Sequence, residues 1–125
     1  MKYFSMFTGI GGFELAFPET WNAVGFSEID ENCNKLLSKK FTEVKNYGDA
    51  TKIRAEELPN FDLLCGGFPC QAFTIAGKRQ GFDDTRGTLF FEIARILKAK
   101  KPSYFLLENV KGLLNHNKGQ TFTAI

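Results

Sequence analysis

The sequence lacks the cysteine and histidine patterns of a metal site. Its three cysteines form no C-x-x-C pair, and its single histidine completes no usual zinc spacing, so we expect no bound metal. An odd number of cysteines without a secretion signal indicates free thiols in a reducing compartment, which predicts a cytoplasmic protein. These residues are Cys33, Cys65, Cys70 and His116.

Long apolar segments are also missing. No run approaches the roughly 20 residues of a membrane span, and the N-terminus lacks the charged-then-apolar build of a signal peptide. We therefore expect no membrane association. What is present is 125 residues of ordinary globular composition, 43% hydrophobic and 24% charged, enough for one domain. The net charge of +2 supports a polyanionic partner only weakly.

The most informative stretch is an apolar run that leads through two glycines to a cysteine. Phe61–Cys65 has the composition of a short buried strand, and Gly66 and Gly67 follow it. Pro69 then fixes the backbone directly before Cys70. Loops at strand ends carry the chemistry of α/β proteins, but most free cysteines are small core hydrophobes. On local sequence alone, both interpretations of Cys70 stay open.

A glycine-rich turn follows the first apolar segment. Lys2–Phe7 predicts a strand, Thr8–Gly12 a G-x-G-G turn, and Phe13–Phe17 the start of a helix. In this context glycines let the backbone approach a nucleotide and direct helix N–H groups at it. Taken alone, the incomplete pattern favours a plain tight turn.

An acidic residue after the second predicted strand strengthens the nucleotide interpretation. Ala23–Phe26 predicts that strand, and Glu28 follows it. A carboxylate about 20 positions beyond the glycine turn is where a ribose hydroxyl pair is held. Either Glu28 or Asp30 could instead cap the helix predicted over Glu31–Phe41. Asp30 suits the cap, which leaves Glu28 for the ribose.

The later part of the chain continues the alternation. Val44–Tyr47 predicts a short third strand, and Asp49 follows it, either as the cap of a short helix near Lys52–Leu58 or as a ligand contact. Arg86–Lys101 has helical spacing of apolar residues, and Ser103–Leu107 predicts a fifth strand.

This pattern predicts an α/β fold with an open, mostly parallel sheet in strand order 3-2-1-4-5. The carboxyl ends of parallel strands share one edge, so the polar features that follow the strands should converge there. The loop from Gly66 to about Thr85 is long enough to be functional, although its composition also suits a solvated insertion. The converging features are the glycine turn, Glu28, Asp49, Cys70 and Glu108.

Four segments together resemble successive motifs of the DNA (cytosine-5) methyltransferases. They are Phe7–Gly12 (FTGIGG), Gly67–Gln71 (GFPCQ), Arg86–Phe90 (RGTLF) and Glu108–Val110 (ENV). The resemblance covers essentially the whole chain, and Pro-Cys-Gln followed by Glu-Asn-Val is highly specific. It implies a Rossmann-like, S-adenosylmethionine-dependent methyltransferase fold, as in restriction–modification enzymes of bacteria or phage, in which residues 1–125 form the N-terminal part of the catalytic domain.

The resemblance also implies roles by position, with S-adenosylmethionine as cofactor and double-stranded DNA as substrate. Cys70 would be the nucleophile, and Glu108 would contact the target cytosine. Substrate contacts would come from Pro69, Gln71, Arg86, Asn109 and Val110. The cofactor would be bound by Phe7, Gly9, Gly11, Gly12, Glu28, Ile29, Asp49, Phe68 and Leu89.

The chemistry asks for the same residues independently. Cytosine C5 is a poor nucleophile, and addition of a thiolate at C6 makes it reactive, a role that suits Cys70. Glu108 can donate a proton to the ring at N3, and burial would keep that proton on its carboxyl group. The target base must leave the duplex stack, and the loop after Cys70 is a natural lid.

The chain also departs from the family pattern. The family's later arginine-bearing motif, target-recognition region and closing motif are absent, so we expect a sheet truncated after about five strands with an exposed edge. Activity would then require a complementing polypeptide. Two alternatives remain: a dinucleotide-dependent oxidoreductase that shares the glycine turn and Glu28, and a non-catalytic fragment or interaction subunit of a split methyltransferase.

Overall fold

Strands and helices alternate along the chain, as the sequence predicts. The computed structural model describes residues 1–68 and 88–124. Short 3-10 helices cover Ala50–Lys52, Ala55–Glu57, Lys111–Leu114 and His116–Gly119. The regular elements are β1 (Lys2–Met6), α1 (Gly12–Ala16), β2 (Asn22–Ser27), α2 (Glu31–Lys40), β3 (Leu63–Gly67), α3 (Thr88–Lys100), β4 (Tyr104–Glu108) and α4 (Gln120–Ala124).

The four strands form one sheet in the order β2-β1-β3-β4, and every pair is parallel. The first strand is therefore central, and the carboxyl ends meet at one edge. This confirms the predicted open, parallel α/β sheet. It also brings the glycine turn after β1, Glu28 after β2 and Glu108 of β4 to the same side of the molecule.

Val44–Tyr47 does not form the predicted strand, although this segment lies beside β2, where the strand was expected. Only one parallel bridge, between Phe26 and Asn46, joins this segment to β2. Beyond that bridge the side chain of Asn46 takes the hydrogen bonds of Glu28 that a strand backbone would otherwise make. The described sheet therefore has four strands instead of five.

The short helix predicted near Lys52–Leu58 is also wrong in type, because the chain forms two single 3-10 turns there. Each turn spans three residues, Ala50–Lys52 and Ala55–Glu57. The buried side chains of Ala50, Ile53, Ala55 and Leu58 tie both turns to the core. Packing of these small turns against α3 therefore outweighs continuation of one helix.

The core lies on both faces of the sheet because side chains alternate along β1. Phe4 and Met6 are fully buried on one face, where α3 contributes Ile93 and Ile96. On the other face Tyr3 packs with rings that follow the glycine turn. That smaller cluster contains Tyr3, Leu63, Cys65, Phe13, Phe17, Trp21 and Ala23.

Strand β4 is the open edge of the described sheet. It pairs with β3, and its side chains are exposed to 60% at Tyr104, 64% at Phe105 and 45% at Leu106. Neighbouring positions in β4 point to opposite faces, so both faces of the strand are uncovered. The predicted exposed edge is therefore present. Among the described helices, none has the length and apolarity to cross a membrane.

Candidate functional site

A cavity of about 310 Å³ opens at the carboxyl edge of the sheet. Five of its lining residues were predicted as cofactor contacts: Phe7, Glu28, Ile29, Asp49 and Leu89. A more open depression of about 340 Å³ lies beside Lys118–Thr123 and is lined by none of the predicted site residues. The edge cavity is therefore the candidate site.

Four other described residues line the cavity and were not predicted. They had no sequence signal beyond their place next to predicted residues at strand ends. Ser27 precedes Glu28, Gly48 and Ala50 flank Asp49, and Gly67 ends β3. The predicted contacts Gly9, Gly11, Gly12 and Phe68 do not line the cavity itself.

The backbone of the turn after β1 requires two of its glycines. Gly9 has a φ of +58° and Gly11 a φ of +88°, a region that other residues adopt rarely. A side chain on Gly11 would also lie 3.3 Å from Leu37. Phe7, which lines the cavity, has a φ of +54° despite its side chain. Such backbone strain, of order 1–3 kcal/mol, concentrates at ligand-binding sites.

Glu28 is fixed by backbone N–H groups. Its Oε2 accepts from Gly9 (2.6 Å), and its Oε1 accepts from Ile29 and Asp30 (2.8 Å each). A carboxylate offers about four acceptor positions, so one position on Oε2 remains for a ligand hydroxyl group. Asp30 in turn caps α2 by accepting from Asn32 and Cys33. These contacts confirm that Asp30 caps the helix, while the ribose role of Glu28 stays a prediction.

Asp49 caps a 3-10 turn and also lines the cavity, while its role as a ligand contact stays a prediction. Its Oδ1 accepts from the Thr51 hydroxyl (2.8 Å) and backbone N–H (2.9 Å), so it caps the 3-10 turn. These hydrogen bonds lower the pKa of the Asp49 carboxyl group. The same residue lines the cavity. Its carboxylate is therefore held ionised and fixed at the cavity wall.

Glu108 lies at the end of β4, beside the end of β3. A Cβ atom on Gly67 would lie 2.9 Å from Glu108 Oε2, so the missing side chain of Gly67 makes room for this carboxylate. The expectation that Glu108 is buried is wrong for this chain, because it stands on the open edge strand and is exposed. Its neighbour Asn109 donates from Nδ2 to the Phe68 carbonyl (2.8 Å). Asn109 therefore holds the main chain directly before Pro69. The predicted substrate contact Val110 is 56% exposed.

The predicted residues Pro69, Cys70, Gln71 and Arg86 lie outside the described residues. Phe68, the last described residue before them, is buried and packs its ring against Phe90 at a centroid distance of 5.4 Å. The end of β3 is therefore anchored up to this point.

Of the two other cysteines, Cys65 is a buried packing residue, as predicted, whereas Cys33 is only partly buried and belongs to neither core cluster of the described residues. Cys65 is fully buried in the sheet, and burial raises the pKa of its thiol to about 12. Partial desolvation and the nearby Asp30 carboxylate raise the pKa of Cys33. Neither thiol is therefore predisposed to act as a nucleophile at neutral pH.

One buried acidic residue was not anticipated. Glu14 of α1 is 7% exposed, and neither of its carboxylate oxygens has a hydrogen-bond partner among the described residues. Burial raises its pKa. An acidic residue in a short amphipathic segment gave no sequence signal that it faces inward.

Comparison with known proteins agrees with this geometry. The chain is 54% identical over 126 residues to the type II methyltransferase M1.ScrFI of Lactococcus lactis subsp. cremoris. It is 48% identical over 130 residues to the orphan methyltransferase M.SPRI of Bacillus phage SPR. These alignments cover 99% and 100% of this chain but 32% and 30% of those proteins. The chain therefore spans about a third of the length of these relatives.

Solved structures give the same fold. The Dnmt2 methyltransferase of S. pombe superimposes with a TM-score of 0.78 at 22% identity, covering 99% of this chain and 40% of that one. A DNMT2 mutant of Spodoptera frugiperda gives a TM-score of 0.69 at 27% identity, covering 98% and 39%. The parallel sheet described above is thus a truncated Rossmann-like methyltransferase fold.

The family profile for C-5 cytosine-specific DNA methylases matches residues 1–125. This match favours a methyltransferase over the oxidoreductase alternative, and it spans every motif considered above. The chain belongs to the C-5 cytosine-specific DNA methylase family.

Proposed function

We propose that this chain is the cofactor-binding and nucleophile-bearing part of an enzyme that transfers a methyl group from S-adenosylmethionine to C5 of cytosine in double-stranded DNA. One observation carries the proposal. Five predicted cofactor contacts line a single cavity at the carboxyl edge of the sheet. Gly67 also lines this cavity, and Glu108 lies beside Gly67. The family match supports the type of reaction, and the cavity supports the location of the cofactor.

The residues around the cavity fit S-adenosylmethionine. The free acceptor position of Glu28 suits a ribose hydroxyl group, and Ile29, which is 71% exposed, offers an apolar surface to an adenine ring. The ionised Asp49 is an acceptor for an exocyclic amino group. When bound, the cofactor supplies an electrophilic methyl group. A volume of about 310 Å³ is at the lower end of the range for small-molecule sites, so binding by this chain alone should be weak.

Two residues of this chain take part in the proposed reaction: Cys70 as nucleophile and Glu108 as proton donor. The Cys70 thiolate adds to C6 of the flipped cytosine while Glu108 gives a proton to N3, which leaves an enamine with nucleophilic C5. C5 then takes the methyl group from the sulfonium, which leaves with the electron pair of the broken bond as a neutral thioether. Loss of the C5 proton to a base, expulsion of the Cys70 thiolate and return of the N3 proton to Glu108 restore the aromatic ring.

The exposure of β4 supports the further proposal that elements beyond this chain complete the enzyme. Its edge and its apolar side chains Tyr104, Phe105 and Leu106 are uncovered, and an additional strand would satisfy the open backbone groups. Covering this edge would also bury Glu108, which the proton-donating role requires. The relatives, about three times as long, contain enough further chain for this and for target recognition.

The same edge also favours the second candidate, a non-catalytic interaction subunit of a split methyltransferase. An unpaired apolar edge strand is a ready surface for another polypeptide whether or not catalysis follows. The two candidates differ in whether this chain supplies the nucleophile.

The test is methyl transfer from labelled S-adenosylmethionine to duplex DNA. The purified chain should be inactive, because it has few groups to read base edges or to offset the cost of base flipping, on the order of a few kcal/mol. Adding a polypeptide that corresponds to the remaining two thirds of the Lactococcus relative should restore transfer. Cys70→Ser should abolish the restored activity, and the matched control Cys33→Ser should retain it.

Activity that survives Cys70→Ser would favour the interaction subunit. Robust site-specific methylation by the chain alone would refute the need for completion.

A further inference from the structure

Asn46 lies where the predicted third strand gives way to a turn. Phe26 makes both hydrogen bonds of a parallel ladder, from its N–H to Lys45 O (2.9 Å) and to its carbonyl from the Tyr47 N–H (2.8 Å). In such a ladder the next rung would join the backbone of Glu28 to the neighbouring chain two residues further along. That rung is missing from the described hydrogen bonds, and the side chain of Asn46 takes its place.

The carboxamide of Asn46 uses all four of its hydrogen-bonding positions. Its Oδ1 accepts from the backbone N–H groups of Glu28 (3.1 Å) and Gly48 (2.9 Å). Its Nδ2 donates to the Glu28 carbonyl (2.9 Å) and to Asn34 Oδ1 (2.8 Å). One side chain therefore satisfies both the N–H and the carbonyl group of Glu28, as a neighbouring strand would.

Because the side chain of Asn46 makes these hydrogen bonds, the main chain after Tyr47 does not have to continue along β2. Gly48 turns with a φ of +68°, and its carbonyl accepts from the Ser27 hydroxyl at 2.8 Å. Gly48 and Asp49 then line the cavity opposite the end of β2. A strand continued by backbone hydrogen bonds would instead carry Asp49 forward along the sheet. The side-chain rung thus keeps Glu28 in place and leaves space for the cavity.

We propose that Asn46 is a positioning residue of the cofactor site. By fixing Glu28 and the Gly48–Asp49 turn relative to each other, it sets the affinity for the adenosine half of S-adenosylmethionine. This inference rests on the proposed function of the cavity. It assigns Asn46 no contact with the ligand, because Asn46 acts through the backbone of Glu28 and Gly48.

The test compares the binding of two ligands by titration calorimetry. S-adenosylhomocysteine contains the whole product skeleton, and methylthioadenosine lacks its amino acid part. Asn46→Ala removes all four hydrogen bonds, so we expect it to weaken the binding of both ligands by about tenfold or more, and by the same factor. An equal factor localises the loss to the adenosine half. Unfolding curves followed by Trp21 fluorescence define conditions in which each variant is folded.

Two further variants separate positioning from general stability. Asn34→Ala is the matched control: it removes the bond from Asn34 Nδ2 to the Glu28 carbonyl (3.2 Å) and the bond between Asn34 and Asn46, but it leaves the paired bonds between Asn46 and Glu28 intact, so we expect a smaller loss of affinity. Asn46→Asp keeps the two accepted bonds but places a carboxylate oxygen where Nδ2 donated to the Glu28 carbonyl, so its affinity should also fall below that of the unmodified chain. If Asn46→Ala does not fold, Asn46→Asp decides the question by the same comparison.

A lower unfolding midpoint for Asn46→Ala with unchanged affinity in the folded protein would overturn the inference. Affinity of Asn46→Asp equal to that of the unmodified chain would overturn it too. If the unmodified chain binds neither ligand, the proposed function itself falls, and the inference with it.

Discussion

Replacing Glu14 by glutamine should change how the stability of this protein depends on pH. Glu14 faces Tyr3 and Ser5 of β1 and Cys65 of β3, and none of these groups carries a positive charge. Its two carboxylate oxygens are buried and have no hydrogen-bond partner among the described residues, and the Ser5 hydroxyl opposes the effect of burial only in part. The ionised form is therefore uncompensated in the folded state, and burial raises the pKa of Glu14 above its ordinary 4.5.

The sign follows from proton linkage. Below the ordinary pKa of 4.5, Glu14 is protonated in both states, and its effect on the free energy of unfolding is constant. As the pH rises above that value, the unfolded chain ionises while the folded chain keeps its proton, so stability falls by at most about 1.4 kcal/mol per pH unit. The fall ends at the raised pKa of the folded state. The total fall is about 1.4 kcal/mol for each unit by which burial raises the pKa of Glu14.

The assay is urea unfolding between pH 4.5 and pH 8, followed by the fluorescence of the single tryptophan, Trp21. Glu14→Gln keeps the shape of the side chain and adds only a pH-independent cost, so the difference between the unmodified chain and this variant isolates the ionisation. That difference should move in favour of the variant as the pH rises. The exposed Glu19 supplies the matched control, Glu19→Gln. A difference that stays flat across this range for Glu14→Gln would refute the reasoning.

Two further predictions concern the candidate site. Glu28→Ala should weaken the binding of S-adenosylhomocysteine in titration calorimetry, because it removes a carboxylate that three N–H groups hold in place. The control Glu31→Ala, in the first turn of α2, should leave binding unchanged. Unchanged binding by Glu28→Ala would rule out the ribose role. In the completed enzyme, DNA with a cytosine analogue that cannot lose its C5 substituent should become covalently attached at Cys70, as read by peptide mass spectrometry. Attachment at Cys33 or Cys65 would contradict the assignment of the nucleophile.

The sequence by itself determined the order and type of most elements. The apolar runs and glycine punctuation predict β1, β2, β3 and β4 within one or two residues of their observed ends, because these signals depend on near neighbours in the chain. The sequence also predicted that Asp30, and not Glu28, caps α2, because a helix cap depends on hydrogen bonds between near neighbours in the chain. The family follows from motifs that are read without any structure.

Only the tertiary structure decided how these pieces meet. The replacement of a third strand by the side chain of Asn46 depends on contacts with Glu28, which is 18 positions away. The inward position of Glu14 and the contact of Glu108 with Gly67 likewise join different elements. Burial and hydrogen-bond pairing across such distances are set by the packing of the sheet. Sequence patterns report only the preferences of each segment. They predicted a parallel sheet and therefore the convergence of its strand ends. They could not predict the contacts that hold the site together, because those contacts join different segments.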